Sequence, residues 1–278
     1  MTHEWIDAHH HLWRYRHQDY PWMSDGMEAL RRDYLVADLE EVVRSAGVTG
    51  TLVVQARQTT QETEWLSGIA AQSELIRGVV GWAPLASSNA ARELERLAEL
   101  PKLRGMRHVL HDEPDPFYML REDFNRGIEQ LKAYGLRYDV LIFERHLPQT
   151  IEFVDRHPNQ IFIVDHIAKP RICNGELSPW REKLQELALR PNVYCKVSGM
   201  VTEAKWNSWT EQELTPYFEI VFEAFTPQRT MFGSDWPVMT LASTYRDWAA
   251  LVRRTISKFS PDEQERVLGG SAAEAYGI

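Results

Sequence analysis

At 278 residues, with 44% hydrophobic and 26% charged side chains, the chain has an ordinary globular composition and enough length to bury a core without disulfides or structural metals. Lys and Arg number 31 against 40 Asp and Glu, and the formal charge of -9 argues against nucleic acid or anionic membrane as partners. The two cysteines, Cys173 and Cys195, make neither a disulfide framework nor a zinc ribbon. With no signal-peptide pattern in MTHEWIDAHHHLW and no apolar run near the roughly 20 residues of a membrane span, the expectation is a cytoplasmic protein.

Taken in chain order, eight short apolar or β-branched runs recur at 5–9, 50–56, 76–82, 103–109, 136–142, 161–166, 193–197 and 230–234. Helical patterns lie between them. Segment 37–46 sets Leu39, Val42, Val43 and Ala46 on one face, the spacing of a buried stripe. Segments 121–134 and 149–156 behave alike, with Gly135 as a helix stop before the fifth run. The stretch 261–277 reads as a capping helix interrupted by Gly269-Gly270. Strands alternating with helices imply βαβ units on a parallel sheet, and eight of them favour an α/β fold of the closed (β/α)8 barrel type. With no internal repeat or linker, residues 1–278 form one domain, and no segment marks a subunit interface.

Polar residues gather at the ends of these runs: DAHHH, VVQAR, GWAP, GMRH, RYD, VDH, KVSG and GSDW. In a parallel barrel the C-terminal strand ends share one face, so these groups converge. Segments 12–34, with Trp13, Tyr15, Tyr20 and Trp22, 113–118 and 169–180 are long and aromatic. Such aromatics either pack over the rim or lid a pocket for a small organic molecule.

His9 and His11, two apart on a strand, point together, whereas His10 points towards the helices as a structural residue. Two imidazoles so placed can coordinate one metal or polarise one carbonyl. His3, His17, His146 and His157 read as surface residues. His166 ends an apolar run at the same barrel face. Asp235 follows the eighth run, which neighbours the first in a closed barrel, so its carboxylate can take a proton from water beside His9 and His11.

IDAHHHLW, RGMRH, VDHIAKP and FGSDWP, in this order, resemble the amidohydrolase superfamily (amidohydrolase 2 type). More narrowly they are similar to its sugar-lactonase branch, which includes L-fuconolactonases and L-rhamnonolactonases. The likeness runs from residue 6 to 270–273. It implies His9, His11, His166 and Asp235 as catalytic residues and as ligands of one divalent metal, Zn2+ foremost, with an open position for water. It leaves open a site in which the imidazoles polarise the carbonyl alone. The fifth strand ends in Tyr138-Asp139 with no histidine, a departure that argues against a binuclear centre.

The activity so implied is hydrolysis of a sugar lactone to the aldonic acid, with Asp235 as general base. Arg107, His108, Gln55, Arg57, Lys169, Ser198, Trp82 and Trp236 are the candidate partners of substrate hydroxyls. No GxSxG motif is present, and Cys195 sits mid-strand, where packing is its expected role. The alternatives are a metal-dependent decarboxylase of an aromatic or unsaturated acid, a lactonase for a dicarboxylic-acid lactone, and a non-catalytic sugar-binding protein.

Overall fold

The computed structural model describes residues 4–278. Among them, eight strands pair side by side in chain order: β1 (Ile6–His10), β2 (Gly50–Val54), β3 (Ile76–Gly81), β4 (Leu103–Val109), β5 (Arg137–Leu141), β6 (Phe162–Val164), β7 (Val193–Val197) and β8 (Thr230–Phe232). Every pairing is parallel. The barrel closes at the C-terminal ends of β1 and β8. There the His11 amide donates to the Trp236 carbonyl and the Asp235 amide to the His9 carbonyl, both at 2.7 Å.

Helices α1 (Val36–Ala46), α2 (Thr60–Ala71), α3 (Ala90–Ala98), α4 (Glu122–Leu131), α5 (Leu147–Arg156), α6 (Trp180–Ala188), α7 (Met200–Glu203), α8 (Glu211–Phe225) and α9 (Tyr245–Ile256) follow the strands around the barrel. Their starts are written locally. The side chains of Thr59, Thr210 and Thr244 accept the amides of Glu62, Glu213 and Asp247, satisfying first-turn donors that a helix cannot pair itself. The 121–134 segment is α-helical only to Leu131. A 3-10 turn then ends at Gly135, whose φ of 66° is the left-handed stop expected there. No helix among the described residues is long and apolar enough to cross a membrane.

Two apolar layers result. The larger lies between strands and helices, and Val53, Met106, Tyr138, Val140 and Val197 feed it from the sheet. The smaller fills the barrel interior with Ile6, Ala8, Leu52, Val54, Val80, Ile163, Tyr194 and Met231. The chain end divides into α10 (Pro261–Glu265), a π-helical turn over Arg266–Gly270, and α11 (Ser271–Tyr276). Ala272, Ala275 and Tyr276 of α11 plug the interior at the N-terminal face, where Arg137 donates to the Ala275 carbonyl.

Two runs are shorter as strands than the sequence suggests. The sixth stops at Val164, because 165–168 coil into a tight turn, and the eighth stops at Phe232. The surface assignment of His146 and His157 is overturned, since both are buried. His146 Nδ1 accepts the Phe143 amide at 3.3 Å. His157 packs on Phe153 and Phe162, with Nε2 2.7 Å from Asn125 Oδ1. Both have found polar partners between layers, which periodicity cannot reveal. His17 is exposed as expected, and His3 lies outside the described residues.

Candidate active site

The pair on β1 owes its direction to an irregularity. Ala8 points into the barrel, so strict alternation would send His9 outward. The β1–β2 register shifts between Asp7 and His10, and His9 and His11 both turn inward. His10 faces the helical layer, its Nε2 3.0 Å from Thr51 Oγ1, and burial pushes it down to about 3. It is a structural residue, as the sequence suggests, although the β1 irregularity rather than strict alternation turns it outward.

His166 sits in an unusual turn. His166, Ile167, Ala168 and Lys169 have φ of 52°, 50°, 63° and 47°, a left-handed run in which none is glycine. Such a conformation costs about 1–2 kcal/mol per residue and persists only where the surroundings impose it. It delivers the imidazole to the barrel mouth, where Nδ1 meets Ser198 Oγ at 2.9 Å. Gly199 makes the space, because a Cβ there would lie 2.6 Å from His166 Nδ1.

Asp235 also has a positive φ, 60°. Its turn is pinned on both sides. The Ser234 amide donates to Asp7 Oδ1 at 2.8 Å, Tyr245 of α9 donates to Asp7 Oδ2 at 2.9 Å, and Trp248 donates to the Gly233 carbonyl at 2.8 Å. Burial pushes Asp7 up to about 6, against the pull of these bonds.

The four groups converge. His9 Nε2 lies 3.3 Å from His11 Nε2. Asp235 Oδ1 lies 3.4 Å from His11 Nε2, 3.8 Å from His9 Nε2 and 3.9 Å from His166 Nε2. His11 Nδ1 is 2.8 Å from the Val54 carbonyl, which can only accept, so His11 keeps its proton on Nδ1 and a bare lone pair on Nε2. Arg107 Nη1, which can only donate, is 3.3 Å from His9 Nε2, while His9 Nδ1 lies 3.2 Å from both Asp165 Oδ1 and Lys196 Nζ. A proton on Nδ1 given to Asp165 leaves Nε2 bare towards Arg107 and the centre, the same tautomer as His11. Burial holds His9 and His166 well below the ordinary histidine range, so both rings are neutral.

Lone pairs and a carboxylate oxygen facing one another within 4 Å form an electron-rich centre that suits a cation. Ligands around a tetrahedral Zn2+ at about 2.0–2.1 Å stand about 3.3 Å apart, which matches the closer separations here. His9, His11 and Asp235 form one possible ligand group, and His166 closes its fourth side. A second group, His9 with Asp165 and His166, uses His9 through the face that Asp165 already occupies. It serves better as the support that orients the ring.

The remaining candidates divide. Arg107 is drawn into the centre, donating to Asp165 Oδ2 at 3.0 Å and to the Gln55 carbonyl. Gln55 and Ser198 are buried beside Arg107 and His166, and Gln55 Oε1 has no partner. His108 turns outward instead. Its Nδ1 accepts from Trp82 Nε1 at 3.1 Å, its Nε2 donates to Glu113 at 2.6 Å, and its ring stacks on Tyr118, so the structure brings neither His108 nor Trp82 to the centre. Lys169 pairs with Glu203 at 2.6 Å and Arg57 with Asp19 at 3.1 Å, both on the rim. Trp236 is buried edge-on against Tyr34. Trp13 is buried among Tyr20, Trp22 and Tyr34 and stacks 6.3 Å from His11, so segment 12–34 forms a wall on the β1 side.

Sequence reasoning missed the groups beneath. Asp165, Lys196 and Asp139 are buried inside the barrel, with Lys196 Nζ 3.0 Å from Asp165 Oδ1 and 2.5 Å from Asp139 Oδ2. Burial alone would raise Asp165, but Lys196, His9 and Arg107 outweigh it and hold the carboxyl well below its usual range. The available signal was Lys196 itself, a charge at an inward position of the apolar run VYCKV.

A parallel eight-stranded barrel with histidines and an aspartate at its C-terminal mouth defines a class, and the chain belongs to the amidohydrolase family, whose model matches residues 6–278. Within it the chain is 41% identical over 286 positions to the L-fucono-1,5-lactonase of Burkholderia multivorans, covering 98% of this chain and 96% of that one. It is 36% identical over 277 positions to the L-fucono-1,5-lactonase of Burkholderia ambifaria, covering 98% and 95%. A crystal structure of a Burkholderia multivorans amidohydrolase with bound zinc superposes with a TM-score of 0.95 at 41% identity, covering 99% of each chain.

Proposed function

We propose that this protein is a hydrolase that opens a sugar lactone to the aldonic acid, and that its residues His9, His11, His166 and Asp235 hold one divalent metal, Zn2+ foremost. The observation that carries the reading is the convergence of Asp235 Oδ1 with three Nε2 atoms at 3.4–3.9 Å in a chain 41% identical to an L-fucono-1,5-lactonase.

When bound, the metal supplies a Lewis acid for the lactone carbonyl and lowers the pKa of water at the site. Asp235 orients the attacking water, accepts its proton as the C–O bond forms, and returns that proton to the ring oxygen as the ester bond breaks. General base catalysis of this kind contributes typically about 10²–10⁴-fold. His9 and His11 cannot polarise a carbonyl by themselves, because the Nε2 atoms that face the centre carry no proton. A metal-free site would therefore rest on His166, whose Nδ1 can accept from the Ser198 hydroxyl and leave a proton on Nε2, and on Arg107. Two cations flank His9, Lys196 Nζ at 3.2 Å from Nδ1 and Arg107 Nη1 at 3.3 Å from Nε2, and Arg107, on the side that faces the centre, is the one that would stabilise an oxyanion.

An aromatic acid or dicarboxylic-acid lactone would call for a free arginine. Arg107 is already committed to Asp165 and Gln55, and Arg57 is held on the rim by Asp19. A neutral polyol ring suits the centre better. Cys173 and Cys195 are free thiols, which supports a cytoplasmic setting.

The test is acid release from a panel of L-fucono-, L-rhamnono- and other aldono-1,4- and 1,5-lactones, followed with a pH indicator. Turnover of a sugar lactone is the expected result. Silence on sugar lactones with turnover of a dicarboxylic lactone, or carbon dioxide release from an aromatic acid, would overturn it.

A further inference from the structure

The barrel interior carries a line of polar contacts that the hydrolysis does not itself require. It begins at the plug. Tyr276, on α11 at the N-terminal face, places its hydroxyl 2.8 Å from both carboxylate oxygens of Asp139. Asp139 Oδ2 is 2.5 Å from Lys196 Nζ, Lys196 Nζ is 3.0 Å from Asp165 Oδ1, and Asp165 Oδ1 is 3.2 Å from His9 Nδ1. Asp139, Lys196, Asp165 and His9 are 0% exposed and Tyr276 is 1% exposed, so water replaces none of these contacts.

We infer that Tyr276 is a positioning residue for the active site: through Asp139 and Lys196 it fixes the Asp165 carboxylate, and with it the orientation and Nδ1–H tautomer of His9.

Three features favour this over simple packing. An apolar side chain on α11 would plug the interior equally well, whereas two carboxylates and an ammonium in a sealed core carry a desolvation cost that packing does not require. The contacts lead to His9 twice, through Asp165 Oδ1 and directly from Lys196 Nζ, which lies 3.2 Å from His9 Nδ1. Its members also compete: Lys196 Nζ serves both Asp139 and Asp165, so how firmly Asp139 is otherwise satisfied decides how far Lys196 leans towards Asp165. Without the Tyr276 hydroxyl, Asp139 draws Lys196 towards itself. Asp165 is then held only by Arg107 at Oδ2, and the His9 N–H loses its fixed acceptor.

The test is Tyr276→Phe, which keeps the ring and removes one hydroxyl, in protein labelled with ¹⁵N-histidine. His9→Gln identifies the His9 resonances. Tyr194→Phe is the control, because the Tyr194 hydroxyl, 2.8 Å from Glu274, lies at the same end of the barrel and has no link to His9. In chelator-treated protein, where no ion holds Nε2, Tyr276→Phe is expected to move the His9 ring nitrogens from a single Nδ1–H tautomer towards a mixture. Losses from supporting contacts of this kind run to about 10–100-fold, and a fall in kcat of about tenfold at unchanged KM is expected. Tyr194→Phe leaves both readouts as in the parent. Should Tyr276→Phe fail to fold, Asp139→Asn must move the same His9 signals. Unchanged His9 resonances in the folded variant overturn the inference, whatever kcat does. The kinetic arm rests on the lactonase reading; the resonance arm does not, so the two can fail separately.

Discussion

His11 Nε2 faces Asp235 Oδ1 at 3.4 Å while its other ring nitrogen is tied to the Val54 carbonyl at 2.8 Å. The backbone of β2 thus sets which face of the imidazole meets the carboxylate. Asp235→Asn keeps the shape of that contact and removes the proposed base. Its backbone turn is held by Asp7, Tyr245 and Trp248 rather than by its own side chain, so thermal stability should stay close to that of the parent. The expected kcat on a sugar lactone falls by about 10²–10⁴-fold, the usual worth of a general base. Steady-state kinetics beside a melting curve checks both halves, and near-parental kcat would remove Asp235 from the role.

The same four donors lead to a stoichiometry. Chelator-treated protein titrated with Zn2+ in a calorimeter should take up one equivalent, and His11→Ala should weaken that binding sharply by removing the Nε2 that both His9 and Asp235 face. Two equivalents of comparable affinity would instead mean that Asp165 takes part in a second centre. Unchanged affinity in His11→Ala would place the metal elsewhere.

The barrel was legible in the sequence because its strands are short apolar runs separated by amphipathic segments. The His9–His11 pair was legible because strand alternation is a local rule. What fixes those residues is not local. The irregularity in β1 turns His9 inward, and no periodicity foretells it. The placement of His166 depends on four consecutive left-handed residues that lack the usual glycine signal. Tyr276 and Asp139 are 137 positions apart, and Lys196 and Asp139 are 57 apart, so their contact exists only once the barrel has closed. His108 misleads for a related reason. It stands next to Arg107 in the chain, yet the odd position points in and the even one points out to Trp82 and Glu113.

Gly199 offers a test of how closely the turn around His166 is fitted. Its φ is 63°, and a Cβ would meet His166 Nδ1 at 2.6 Å and the His166 ring carbon at 2.7 Å. Gly199→Ala therefore imposes both a strained backbone and a displaced imidazole, an expected loss of about 1–3 kcal/mol in urea denaturation together with impaired turnover. Retention of full stability and activity would mean that the turn relaxes freely, contrary to its sealed position.

His111 supplies a pH dependence whose sign can be worked out. Its ring stacks on Phe143 with centroids 4.5 Å apart, its Nδ1 is buried without a partner, and burial, with Lys169 and Arg107 nearby, pushes it down to about 3. The unfolded chain protonates His111 below its ordinary value of 6.5 while the native protein does not. Stability from this residue is therefore complete above pH 6.5 and drains away as pH falls from there towards 3. Asp7 and Asp139, pushed up to about 6, act in the opposite direction between pH 6 and 3.8, so the total curve is mixed. Comparison with His111→Phe isolates the one group. Between pH 8 and pH 5 the parent should lose about 2 kcal/mol more stability than the variant, at about 1.4 kcal/mol per pH unit below the unfolded value. Equal losses in urea denaturation at the two pH values would mean that His111 takes up its proton in the folded protein, with Asp112, 3.3 Å from Nε2, as its counter-ion.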